Sequence, residues 1–176
     1  SLGSSSVFAD GLKWTPSGQH VEVYLNDAYA GVYLLTEDIR IDPARLDIKK
    51  MSADPAAGDV DGGYIVEVDA RLDCYQGADV DMRLRTPRGV PICIDTPDEE
   101  AITANQLAYI KRLLVDVEAD LYGPRRLATI DTASFADWYL LQELFRNNDA
   151  VFFSSVYLWK DTATATNPRD RVLNMG

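Results

Sequence analysis

An α+β fold, with β-hairpins first and a mainly helical part after them, is predicted by three features of this 176-residue chain. Residues 21–25 alternate apolar and polar, turn through Asn26-Asp27-Ala28-Tyr29 and return over 31–37, the pattern of a hairpin with a four-to-five-residue connection. A second hairpin is predicted where residues 82–86 and 91–94 bracket Pro87-Arg88-Gly89. Apolar stripes at helical spacing begin only after residue 96.

Composition narrows the function classes. Apolar residues make up 47% and charged residues 26%, ordinary for a globular chain that can bury a sizeable core. A net charge of −11 argues against nucleic-acid binding, which needs clustered Lys and Arg, and against docking on anionic membranes. No apolar run approaches the roughly 20 residues of a bilayer span. The chain opens without a signal-peptide pattern, but Ser1-Leu-Gly does not look like a native terminus either, so the compartment stays open. With a single histidine, His20, in a Ser-Gly-Gln turn, neither a Cys/His zinc site nor a His-dependent nucleophile is expected. Cys74 and Cys93 are either two unrelated thiols or one disulfide stapling a hairpin-containing loop, the latter indicating an exported protein.

In chain order, the 31–37 strand is apolar on both faces (Val32, Tyr33, Leu34, Leu35), which predicts a place inside a sheet. Glu37 ends it. Residues 38–50 are mixed and charged, with Pro43 permitting a short turn, and 52–63 is a solvated acidic loop whose Asp54, Asp59 and Asp61 lack EF-hand spacing. In the strand 64–69, Tyr64, Val66 and Val68 share one face while Ile65, Glu67 and Asp69 share the other, where water or Arg71, Arg83 and Arg85 would meet the carboxylates. Pro91 marks the beginning of a strand or an edge. Thr96-Pro97-Asp98-Glu99 predicts a helix N-terminus, with Gly123-Pro124 stopping that helix. Asp131-Thr132 starts a second helix whose Phe135, Trp138, Tyr139 or Leu141, Leu144 and Phe145 form an apolar face. It ends at Asn147-Asn148, Asp149 follows, and residues 156–159 read as a buried strand. A carboxylate between a buried helix and a buried strand is fixed where a catalytic acid or metal ligand is useful. The plainer alternative is that 147–149 only turns the chain out of the helix.

Several stretches carry a family resemblance: Ser134-Phe…Tyr139…Glu143-Leu…Asn147-Asn148-Asp149-Ala…Ser154-Ser155…Tyr157-Leu158…Lys160-Asp161, preceded by Asn26…Tyr29-Ala-Gly-Val-Tyr33…Glu37 and Gly62-Gly-Tyr-Ile-Val-Glu67-Val-Asp69, and closed by Met175-Gly176. In combination they resemble the CotH (spore coat protein H) kinase family across nearly the whole chain. The resemblance implies an atypical protein-kinase-like fold, with residues 1–50 as the end of the small lobe and linker, 51–95 as a β insertion, and 96–176 as a helical lobe with a catalytic-type loop. It implies ATP and Mg²⁺ as cofactors, a protein Ser/Thr acceptor, and a secreted, cell-surface or spore-coat location. Residue by residue, it points to Asp149 as the catalytic acid group, Glu37 at the nucleotide, and Ser154, Ser155 and Asn148 as metal-ligand candidates. Phosphoryl transfer needs a carboxylate to orient or deprotonate the nucleophile and oxygen ligands for Mg²⁺. Serine at 154–155 departs from the Asn found in many relatives. In the family Met-Gly is followed by a Pro-x-Trp-Asp-x-Asp run, and this sequence ends at Gly176, just before that place; no Walker loop is present, and Lys13, Lys49 and Lys50 are poor substitutes for a nucleotide lysine. The expectation is therefore a truncated piece of the domain with weak or no nucleotide binding by itself. Two other readings compete: a non-catalytic envelope, adhesion or coat-assembly protein on the same fold, and a carbohydrate-associated module built on Trp14, Tyr29 and Tyr75.

Overall fold

The computed structural model describes residues 14–124, 127–148, 152–163 and 172–175. Among these residues, two antiparallel sheets, two α-helices and a one-turn 3-10 helix at Pro55–Ala57 make up the regular structure, an α+β arrangement. The first sheet is a lone hairpin, β1 (Gly18–Leu25) with β2 (Ala28–Thr36). The second has five strands in the order β4-β5-β3-β6-β7, namely β4 (Arg83–Arg85), β5 (Pro91–Thr96), β3 (Tyr64–Val68), β6 (Val156–Lys160) and β7 (Asn174–Met175). Strands from the 51–95 stretch thus share one sheet with β6 and β7 from the last third of the chain.

The alternation of β3 decides where the core lies. Tyr64, Val66 and Val68 face α1 (Ala104–Tyr122), packing with Ile92, Ile94, Leu158 and Met175 against Ile110, Leu114 and Val117. Ile65 points the other way and packs with Trp159 against Leu46 and Ile48 of the linker, beside Trp14, Ile39, Ile41 and Tyr157. The sheet is therefore covered by helix on one face and by the 39–48 linker on the other. Gly62 and Gly63 let β3 start inside this sandwich. A Cβ on Gly62 would overlap the Thr162 backbone, and one on Gly63, at φ +92°, the Lys49 carbonyl. The acidic loop before them is tied down as well: Asp54 accepts from Ala56 N at 2.9 Å, and Asp59 pairs with Lys49 at 2.5 Å.

Four expectations are corrected. The first hairpin turns in two residues rather than four or five, because Asn26 (φ 49°) and Asp27 (φ 64°) both take the left-handed conformation of a primed turn, and a bulge after Val23 absorbs the extra residue. Its second strand does not lie inside a sheet. β2 pairs only with β1, and Leu35 is 64% exposed, because the apolar run finds no second neighbour among the described residues. The first helix begins at Ala104, not near Pro97. Thr96 is used up as the last residue of β5, paired across from Ile65, whereas Thr103 and Gln106 form both halves of a capping box. Gly123 ends the helix as expected. Finally, α2 (Thr132–Phe145) is not buried along its length. Phe135 and Trp138 pack on the core, but Phe145 is 74% exposed. Asp131 is its N-cap as expected, without a side-chain cap bond, and Arg146 in the left-handed region closes its C-terminus.

Cys74 and Cys93 form a disulfide, with Cα atoms 5.8 Å apart, that fastens the 70–81 excursion to β5. Pro91 opens β5, whose neighbours are β4 and β3, so it marks a strand's beginning and not an edge.

Candidate functional site

Two adjoining concavities lie on the linker side of the sheet. One, of about 330 Å³, is walled by Trp14, Ile39, Ile65, Tyr157 and Trp159 and reaches Ser155. The other is lined by Thr36, Glu37, Asp38, Ile39, Asp95 and Tyr157. Ile39 and Tyr157 belong to both, so the two are parts of one cleft. Its floor follows from strand alternation: Ile65 and Trp159 are directly paired on β3 and β6, and Glu67 and Tyr157 are the next pair on the same face. The volume and apolar walls suit a planar, drug-sized group.

Of the site residues expected from sequence, Glu37 and Ser155 both line this cleft. Glu37 Oε2 accepts from Ser17 N at 2.8 Å while its own N–H donates to Ser17 O at 3.0 Å, so its carboxylate closes the open end of the hairpin. The bond from the Ser17 amide holds the Glu37 carboxyl below the usual range. Asn148 is exposed beyond the end of α2, and Ser154 is half-buried in the turn before β6. Asp149 lies outside the described residues.

The far arm of that turn is well anchored. Ser155 N donates to Glu67 Oε1 at 2.9 Å, and Ala70 N donates to Phe153 O at 2.7 Å. The Phe152 ring meets Trp138 edge-on, with centroids 5.1 Å apart. Phe152 (φ 50°) and Ser155 (φ 58°) are left-handed non-glycine residues, a conformation that costs about 1–2 kcal/mol each. A hydrogen bond to a charged carboxylate contributes about 1.5–3 kcal/mol and a neutral one about 1 kcal/mol. The aromatic contact adds about 0.5–1.5 kcal/mol. The tethers are therefore of the same size as the strain, and Glu67 supplies the largest of them.

Electrostatics on this face are coupled. Burial raises the Glu67 carboxyl above its ordinary range, against the Ser155 amide and the Tyr157 hydroxyl that hydrogen-bond it, and Asp69 and Asp95 add to the rise. Tyr157 is pushed up to about 12, by burial first and by Glu67 next. Asp95 is exposed at its tip, yet enough protein crowds it that desolvation raises its carboxyl too. Asp69 behaves oppositely: amide bonds from Asp73 and Arg71 and the Arg71 guanidinium at 3.4 Å hold it low. The expectation that arginines meet the β3 carboxylates thus holds for Asp69 but not for Glu67, whose partners come from β6 and the turn before it.

Sequence reasoning missed Tyr157 and the role of Glu67. Their signal was present in the outward positions of two strands, but only the β3–β6 register makes them neighbours. Among the described residues no helix is long and apolar enough to cross a membrane, and no group of three or more His, Cys, Asp and Glu is placed to hold a metal.

A scan against protein-family profiles matches residues 4–170 to the family described as CotH kinase protein. Neither the curated proteins nor the solved structures give a significant match. With the match covering all but the ends, the chain belongs to the CotH kinase protein family.

Proposed function

We propose that this chain is part of an atypical protein kinase that transfers the γ-phosphoryl group of ATP to Ser or Thr hydroxyls of coat or secreted proteins, on a kinase-like fold. The observation that carries this reading is that the linker at Glu37–Ile39 and, at the end of the turn and the start of β6, Ser155 and Tyr157 line adjoining parts of one cleft. These are the two stretches in which the resemblance expects the nucleotide base and the metal-bound phosphates.

In this reading the base lies against Ile39, Ile65 and Tyr157, with Trp14 and Trp159 closing the apolar side. Glu37 serves by fixing the linker, since its carboxylate is already engaged by the Ser17 amide. Asn148, Ser154 and Ser155 offer oxygen donors that are neutral and weaker than carboxylates, and Mg²⁺ commonly takes few protein ligands and completes its shell with phosphates and water. Bound Mg²⁺ would neutralise charge developing on the phosphates. Asp149 orients the acceptor hydroxyl and takes its proton as that oxygen bonds to the γ-phosphorus. The bond to the β–γ bridging oxygen breaks and ADP leaves. The Cys74–Cys93 disulfide supports a secreted, cell-surface or spore-coat location, where such bonds persist.

The test is two-part. Titration of the full-length protein with Mg·ATP should quench the fluorescence of Trp14 and Trp159, and an unchanged spectrum overturns the assignment of the cleft. In the full-length protein, Asp149→Asn should abolish incorporation of labelled phosphate into Ser or Thr, and a retained rate overturns the assignment of Asp149. A non-catalytic assembly role on the same fold is favoured by one observation, the bare apolar surface of the β1–β2 hairpin. Partner binding that needs neither Mg²⁺ nor Asp149 would select that reading instead.

A further inference from the structure

We propose that Glu67 is the positioning residue of this site, holding the turn before β6 in the conformation that sets Ser155 at the wall of the cleft. The inference rests on the nucleotide reading for its functional part, but the tether is defined by geometry alone.

Three observations converge. The Glu67 carboxylate accepts from Ser155 N at 2.9 Å and from the Tyr157 hydroxyl, so one side chain bonds two residues that both line the cleft. Ser155 sits at φ 58°, a backbone state that a serine does not hold without help. Glu67 itself cannot drift, because β3 is the middle strand of the five, paired with β5 and β6 on its two sides, and Glu67 stands directly across from Tyr157. A carboxylate that is half-buried yet bonded to neither Lys nor Arg in any described ion pair is a costly choice for a strand face. Its two acceptor bonds to the turn and to β6 account for its use here. A second bond from the same strand end, Ala70 N to Phe153 O at 2.7 Å, clamps the turn one residue before Ser154. Glu67 touches no substrate in this scheme and acts through Ser155 and Tyr157.

The experiment uses this chain labelled for NMR, with Glu67→Ala, Glu67→Gln and Tyr157→Phe. Hydrogen-exchange protection of the Ser155 amide reports the tether, and titration of the full-length protein with Mg²⁺ and a non-hydrolysable ATP analogue reports affinity. Glu67→Ala should lower Ser155 protection about tenfold or more and weaken nucleotide affinity by a similar factor, the loss of one charge-assisted bond. Glu67→Gln keeps a carbonyl acceptor and should restore most of both, while Tyr157→Phe should leave Ser155 protection within about threefold of wild type. Unchanged Ser155 protection in Glu67→Ala overturns the tether. Lost protection with wild-type nucleotide affinity overturns the positioning role. If the wild-type full-length protein binds no nucleotide, the nucleotide reading and with it the functional half fall, and the amide measurement still decides whether Glu67 holds the turn. Should Glu67→Ala fail to fold, Glu67→Met, which keeps the side-chain volume but has no oxygen acceptor, takes its place: Ser155 protection should fall about tenfold, and unchanged protection overturns the tether.

Discussion

Replacing Gln106 by Glu sets local sequence logic directly against the tertiary structure. Gln106 is the N3 residue of α1, where its Oε1 accepts from Thr103 N at 2.8 Å in a capping box. Glu fills that role equally well and adds about 0.3–1 kcal/mol from the helix dipole, so the helix considered alone predicts a neutral or stabilising change. In the folded protein Gln106 is only 1% exposed, and its Nε2 donates to Ser52 O at 3.0 Å and Asp59 O at 2.8 Å. A carboxylate would lose both bonds, about 1 kcal/mol each, and would place a buried anionic oxygen against two half-buried carbonyls. Adding that desolvation and repulsion to the lost bonds gives a destabilisation of about 3–4 kcal/mol at pH 7. Urea unfolding followed by tryptophan fluorescence should show a midpoint lowered by more than about 1 M, given slopes of about 1–3 kcal/mol per molar. The sign of the pH dependence is also fixed. Burial raises the folded pKa of the new carboxyl above its unfolded value near 4.3, so the penalty relative to wild type grows as pH rises through that window and shrinks below it. A Gln106→Glu midpoint at or above wild type at pH 7 would refute the argument, because it would mean the loop carbonyls do not depend on this amide.

Three further outcomes are expected. Replacing Cys74 and Cys93 together by Ser removes a crosslink spanning 19 residues, for which chain entropy gives about 3 kcal/mol, and the thermal midpoint of the double variant against the oxidised protein measures it. Carboxyl-detected NMR titration should place Asp69 below 3.8 and Asp95 above it. The Asp69 contribution to stability is then present above 3.8 and lost as pH falls through its folded value, whereas Asp95 imposes a cost that develops as pH rises above 3.8. Equal midpoints for the two would discard that electrostatic picture. Gly63→Ala should cost about 3 kcal/mol or more, since the position combines positive φ with a Cβ that meets the Lys49 carbonyl, and a wild-type urea midpoint would contradict it.

The sequence was legible wherever the signal is local. The Asn26-Asp27 turn, the alternation of β3, the Gly123 stop and the Asp131 start all report on a few adjacent residues, and each stands within a residue or two of where it was read. Thr96 shows the limit. Its Pro97, Asp98 and Glu99 neighbours make a good helix start in isolation, but pairing with Ile65 claims Thr96 for β5, and the helix waits for Thr103. The apolar run of β2 shows another: composition reports how much surface wants cover, not whether a neighbour exists to cover it.

By itself the sequence determined the α+β class, the existence and order of the two hairpins and two helices, and membership of the family, because hydrophobic period, turn chemistry and motif order are written along the chain. Only the tertiary structure decided that Glu67 faces Tyr157 and Ser155, that Glu37 is tied to Ser17, and that Gln106 braces a loop some fifty residues away. Those relations depend on strand register and on which backbone groups lack partners after packing, and neither quantity exists until distant segments meet.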